Sequence, residues 1–227
     1  MAFLQTTNLM SRRFFAFVTV LLFVAEATAQ YRQGDYNTIG ITGGAALFDI
    51  NTSDLNTKQR TGFVGTLSNR GAFYNWFDFV WEIGFVQSEL EVLAWNAEQS
   101  GKEYIGYNMQ SGQLKLLASY VVKEHLLSLE FGPVLNVNGK LNLDDEDDEG
   151  LILDGYNGMT TDQIQDITKI NFRLQGGLTV GVRHFRLSAQ YQYGVTNVLN
   201  NLNSQGLENE NLKGHTSTIL LMGIIYF

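Results

Sequence analysis

The chain has 227 residues, with 15 Lys and Arg against 23 Asp and Glu, 23 Gly, a single Pro and no Cys. The lack of Cys excludes a disulfide framework and a thiolate metal site, and the acidic balance excludes nucleic acid as a partner, because phosphate contact needs clustered Lys and Arg. Gly-rich, aromatic-rich and Pro-poor composition suits a long-stranded sheet better than a helical bundle, and no linker-like stretch divides the chain into domains.

The amino terminus reads as an export signal. Arg12 and Arg13 precede an apolar run from Phe14 to Val24, and Ala27-Thr28-Ala29 supplies the small-x-small pattern of a signal peptidase site. The run is too short to span a bilayer as a helix. Ser11-Arg12-Arg13-Phe14-Phe15 also resembles a twin-arginine signal, but that route carries folded cargo. The predicted division is a cleaved signal peptide over 1–29 and one domain over 30–227. Removing 1–29 takes away two Arg and one Glu and leaves 13 basic and 22 acidic side chains, a net charge of −9.

Strand one is predicted over about Thr38–Ile50, with Ile39, Ile41 and Leu47 on one face and small residues on the other, as a crowded barrel interior requires. Strand two covers about Thr61–Ser68, and Asn69-Arg70-Gly71 reads as the start of a short turn. Strand three is the clearest, because Phe77, Phe79, Trp81, Ile83 and Phe85 alternate with Asp78, Val80, Glu82 and Gly84. Five large apolar side chains on one face need a hydrocarbon partner. A long polar segment (about Val92–Asn108) leads to strand four, about Gln113–Val122, in which Leu114, Leu116, Ala118 and Tyr120 oppose Lys115, Leu117 and Ser119.

Strand five, about Leu126–Leu143, sets Leu127, Leu129 and Phe131 against Ser128 and Glu130, and Pro133 predicts a bulge near Gly132-Pro133. The loop Asp144–Thr168 follows, with nine acids and no base. Strand six, about Lys169–Val182, places Arg173 opposite Phe172 and Leu174. Strand seven, about Phe185–Val195, places Arg186 opposite Phe185 and Leu187. After a polar loop, Asn197–Gly214, strand eight runs from His215 to the aromatic terminus Phe227, an ending that barrel assembly machinery reads.

The predicted fold is therefore an eight-stranded antiparallel transmembrane up-and-down β-barrel. Connections alternate short and long, as periplasmic turns and extracellular loops do in outer-membrane barrels, so both termini are expected on the periplasmic side of the outer membrane. Phe77, Tyr120, Phe185 and Phe227 fall where an aromatic girdle belongs. A soluble lipocalin-like barrel is the alternative, and it would bury the apolar face and expose the charged one.

Thr38-Ile39-Gly40-Ile41-Thr42-Gly43-Gly44, the Glu82-centred strand three, Leu129-Glu130-Phe131-Gly132-Pro133 and Tyr191-Gln192-Tyr193-Gly194-Val195-Thr196-Asn197 resemble the PorT-like outer-membrane β-barrel family of Bacteroidetes. The resemblance covers about Tyr31–Phe227 and departs from the family at the acidic run Asp144–Glu149 and at a short strand two. It implies an accessory part of an envelope machine such as a secretion system, with outer-membrane lipid, the barrel assembly machinery and other envelope proteins as partners.

Three residue sets could carry chemistry. Glu82, Lys115, Glu130, Arg173 and Arg186 share the predicted lumen, where an eight-strand barrel has room for side chains and little else. They are expected to pair as a charged plug, which leaves a narrow pore as the lesser alternative. Asp145, Asp147, Glu149 and Gly150 match the start of a calcium loop, but Tyr156 stands where its bidentate Glu must be, so no metal is expected. His215 and Ser217 share one face and look like the pair of a lipid A-modifying hydrolase, with Glu208 or Glu210 as the third member, while His125 and His184 read as turn residues. The expectation is a non-enzymatic barrel without cofactor, either an accessory subunit or a surface interaction protein.

Overall fold

The computed structural model describes residues 39–227 apart from 75, 99 and 125. The signal-peptide assignment and His125 lie outside the described residues. Eight antiparallel strands close into a barrel in sequence order: β1 (Ile39–Asn51), β2 (Thr57–Tyr74), β3 (Phe77–Trp95), β4 (Lys102–Lys123), β5 (Leu127–Leu143), β6 (Ile170–Gly181), β7 (Phe185–Gly194) and β8 (His215–Tyr226). β8 closes the ring on β1 with Thr42 opposite Ile224 and Ile50 opposite Thr216. Full closure removes the exposed edge that an open sheet would present.

The alternation read from the sequence sets the two faces. Ile83 is 54% exposed, Phe131 61% and Leu221 51%, whereas Lys115, Glu130 and Arg173 between such residues are buried. A water-soluble barrel buries the opposite set, so the lipocalin-like alternative is excluded by the exposure pattern and the lower wall is built for hydrocarbon. The outward apolar face of β3 runs from Phe77 to Phe85, close to the nine to eleven residues, roughly, that a tilted strand needs to cross a bilayer. At its turn end Phe77 and Tyr120 meet with ring centroids 5.2 Å apart, and Phe185 and Phe227 are exposed.

Three strands are longer than their sequence pattern predicts. β2 is 18 residues rather than the Thr61–Ser68 segment, β3 is 19, and β4 is 22, so much of the segment 92–108 is paired sheet. Asn69, Arg70 and Gly71 belong to β2, opposite Trp81, Val80 and Phe79 of β3, rather than to a turn. The reason is visible in β3. Up to Phe85 the outward residues are apolar, and beyond it Gln87, Glu89 and Glu91 point outward while Leu90, Val92 and Ala94 are buried. The strand keeps its period of two while the polarity of its faces inverts, because the environment outside changes from hydrocarbon to water. At the same level β2 has a bulge between Gln59 and Phe63, and Lys58 and Arg60 beyond it pair with Glu89, Glu91 and Asp144.

The bulge expected at Gly132-Pro133 is not formed. β5 keeps unbroken register with β6 through Gly132 opposite Gln175 and Pro133 opposite Leu174, and the irregularities against β4 fall instead between Met109 and Ser111 and between Val121 and Lys123. Gly132 lets β4 approach closely, since a Cβ there would lie 2.0 Å from the Leu116 carbonyl oxygen.

Candidate functional site, the filled lumen and its cap

The lumen is filled in layers. Nearest the turn end, Arg70 reaches inward from β2 and collects the neighbouring acceptors. Its Nη1 donates to Asp78 Oδ2 at 3.2 Å and to Ser119 Oγ at 2.7 Å, its Nη2 donates to the Glu130 carboxylate, and its Nε donates to the Tyr226 hydroxyl at 3.3 Å. The other Glu130 oxygen accepts from Thr179 Oγ1 at 3.0 Å and Gln190 Nε2 at 3.3 Å. All these groups are buried. Buried charges persist only when paired and hydrogen-bonded, and this cluster meets that condition.

The structure separates the five charges grouped from the sequence. Glu82 and Lys115 are register partners on β3 and β4, with Lys115 Nζ 3.0 Å from Glu82 Oε2. Glu130 pairs across the barrel, with Arg70. Arg186 places its guanidinium over the Tyr226 ring, 5.6 Å from the centroid. Arg173 donates to Gln192 Oε1 and Thr218 Oγ1, each at 3.3 Å, and stands over the Phe48 ring. Arg70 and Asp78 are lumen charges missing from that group. Asp78 was legible, since it alternates with Phe77 and Phe79; Arg70 was lost because its segment reads as a turn.

The lumen also holds a small apolar cluster, Ala46, Val64, Val86, Leu220 and Met222, and a group of amides that includes the Arg173 partner Gln192. Gln192 exchanges hydrogen bonds with Gln113 at 3.2 Å and donates to Gln175 at 2.8 Å, and Gln113 donates to Asn136 at 2.9 Å.

The upper barrel is closed by a buried apolar cap. Phe48 and Ile50 of β1, Leu90 and Val92 of β3, and Ile105, Tyr107 and Met109 of β4 form one buried cluster with Leu153, Met159, Ile164 and Ile167 of the loop 144–169 and with Val198, Leu199, Leu202 and Leu212 of the loop 195–214. Apolar residues spaced through two polar loops were the signal for this cap. Polar ties hold the loops over it. The Tyr107 hydroxyl donates to the Thr161 carbonyl at 3.0 Å, and burial pushes that phenol up. Thr168 N–H donates to the Val198 carbonyl at 2.8 Å, and Asn201 Nδ2 to the Asp166 carbonyl at 2.8 Å.

Glu208 works as a clamp between the loops. Its carboxylate accepts from the backbone N–H groups of Gly158 at 2.7 Å, Asn157 at 2.9 Å and Met159 at 3.2 Å, with the Gly158 bond first among the causes that hold it below the usual carboxylate range. Glu208 is thus engaged away from His215. His215 Nδ1 is 2.9 Å from the Gly194 carbonyl, and its ring stacks on Tyr193. Ser217 Oγ donates to the Tyr191 hydroxyl at 3.3 Å. These bonds run to three different partners rather than linking base, nucleophile and orienter.

In the acidic run, Glu146–Asp148 form one 3-10 turn capped by Asp145, whose Oδ1 accepts from Asp147 N–H at 3.0 Å. Partial burial, followed by repulsion from Asp145 and Glu103, pushes the Asp148 carboxyl up. At the loop tips a polar cavity of about 340 Å³ is lined by Ser53, Asp54, Leu55, Asn56, Asp154, Gly155, Tyr156 and Asn209.

No family model and no curated protein matches the chain. Solved structures of eight-stranded outer-membrane proteins are similar in general form. Neisserial surface protein A shares 12% identity with a TM-score of 0.47, over 83% of this chain and 97% of that one. The attachment invasion locus protein Ail of Yersinia pestis shares 14% with a TM-score of 0.46, over 85% and 99%. OprG of Pseudomonas aeruginosa shares 10% with a TM-score of 0.45, over 85% and 96%. The ring of eight strands rests on this chain's own register.

Proposed function

We propose that the protein is a non-enzymatic outer-membrane barrel that acts through its projecting cap, as a surface interaction protein or an accessory subunit of a larger envelope complex. The observation that carries this reading is the double closure of the lumen. Charged side chains and amides fill it below, an apolar cluster seals it above, and among the described residues the elaborated surface is the polar outside of the extended strands and tied loops. An ion or polar solute crossing the cap would lose its water without replacement partners, which argues against the pore. The export signal and the resemblance to PorT-like barrels support placement in the outer membrane with periplasmic termini and support the accessory role.

Affinity purification of the tagged protein from its native outer membrane in mild detergent tests the proposal. Stoichiometric co-elution of other envelope proteins is expected. Recovery of the barrel alone, together with steady solute flux in liposomes, would overturn it. The hydrolase alternative predicts altered lipid A acylation in a Ser217→Ala strain, and the proposal predicts none.

A further inference from the structure

We infer that the lumen holds a small inorganic anion of the halide class beside Arg173. Among the described residues, the buried charges of the barrel are Arg70, Lys115, Arg173 and Arg186 with Asp78, Glu82 and Glu130. Asp78 and Glu130 are taken by Arg70, and Glu82 by Lys115. Arg173 is 1% exposed and pairs with no carboxylate; its two hydrogen bonds go through Nη1 to the neutral acceptors Gln192 and Thr218.

Three buried donors on the inward face of β6 lack an acceptor among the described residues. They are Nε and Nη2 of Arg173 and Nε2 of Gln175, and both residues face inward two positions apart on β6. A guanidinium keeps its proton under all ordinary conditions, so deprotonation cannot relieve the charge. The ring face of Phe48, 5.9 Å away, offers only partial compensation. The apolar cap above separates the site from bulk counterions. A monovalent anion accepting from these donors would offset the Arg173 charge and satisfy the orphaned groups together, whereas water would satisfy the donors and leave the charge.

The test is to refold the purified full-length mature protein into detergent micelles in sodium bromide or in sodium gluconate at equal ionic strength and to follow thermal unfolding. Wild type is expected to show a saturable rise of its midpoint with bromide over gluconate, and Arg173→Met to show no such rise. Equal wild-type midpoints in the two salts, or the same bromide gain in R173M, would overturn the inference. If R173M does not fold, crystals of wild type grown in bromide decide the matter. An anomalous peak within hydrogen-bond distance of Arg173 and Gln175 supports the anion, and its absence rejects it.

Discussion

Arg70 of β2 and Glu130 of β5 lie 60 residues apart in the chain and meet inside the barrel, where the same guanidinium also holds Asp78. Two strands, β3 and β4, lie between them along the sheet, so their contact crosses the lumen and ties separate parts of the ring together. Replacing Arg70 with Met removes the cation that two buried carboxylates share. The expected loss is about 3–5 kcal/mol of stability, and the double variant R70M/E130Q is expected to recover part of it. Urea unfolding of the refolded protein in lipid vesicles measures both.

The inversion of polarity along β3 marks the edge of the hydrocarbon. Ile83→Arg puts a charge on the lipid face and is expected to cost about 2–4 kcal/mol, less if the site lies near the interface. Gln87→Arg, two positions along on the same outward row but past the inversion, is expected to change stability by roughly 0–1 kcal/mol. Equal costs at the two positions would move the membrane boundary.

Leu153 is fully buried in the cap although it belongs to a loop. Leu153→Ala should cost about 2–5 kcal/mol locally. Hydrogen exchange would show it as faster opening of the loops 144–169 and 195–214, with the lower strands of the barrel unchanged. Uniform loosening of the whole barrel would mean that the cap and the membrane wall unfold as one unit.

Two loop carboxylates respond to pH with opposite sign. Glu208 is held below its ordinary range, chiefly by the Gly158 N–H, so its stabilisation is present above the unfolded-state value and is lost as pH falls through the lower folded value. Asp148 is held above its ordinary range, first by burial and then by Asp145, so its favourable contribution exists at low pH and is lost as pH rises through the folded value. Asp148→Asn is therefore expected to slow proteolysis of the loop at neutral pH and to have no effect in acid. Glu208→Gln is expected to speed proteolysis at neutral pH and to match wild type once pH lies below the folded value of Glu208.

Gly132 and Gly43 test the wall from its two sides. A Cβ at Gly132 meets the Leu116 carbonyl oxygen at 2.0 Å, while one at Gly43 meets nothing within 4 Å. Gly132→Ala should lower the folded fraction, at a cost of about 1–3 kcal/mol for the forced backbone shift. Gly43→Ala should be close to neutral. The heat-modifiable gel mobility of a folded barrel reads both.

By itself the sequence determined the strands and their faces in the membrane wall except for the turn end of β2, because a period of two with apolar residues on one side and polar ones on the other has a single solution between lipid and lumen. Phe77 to Phe85 and Ser128 to Leu135 were legible for that reason. What only the tertiary structure decided was which charges meet, how far β2, β3 and β4 rise, and where the loop residues Leu153, Ile164 and Leu202 go. Charge partners depend on closure of the ring and on strand register, which bring residues from distant strands to one level; Arg70 with Glu130 is such a pair. The rise of β3 was hidden because its pattern inverts past Phe85, where the same alternation faces water outside and an apolar cap within, and the composition alone there reads as a loop.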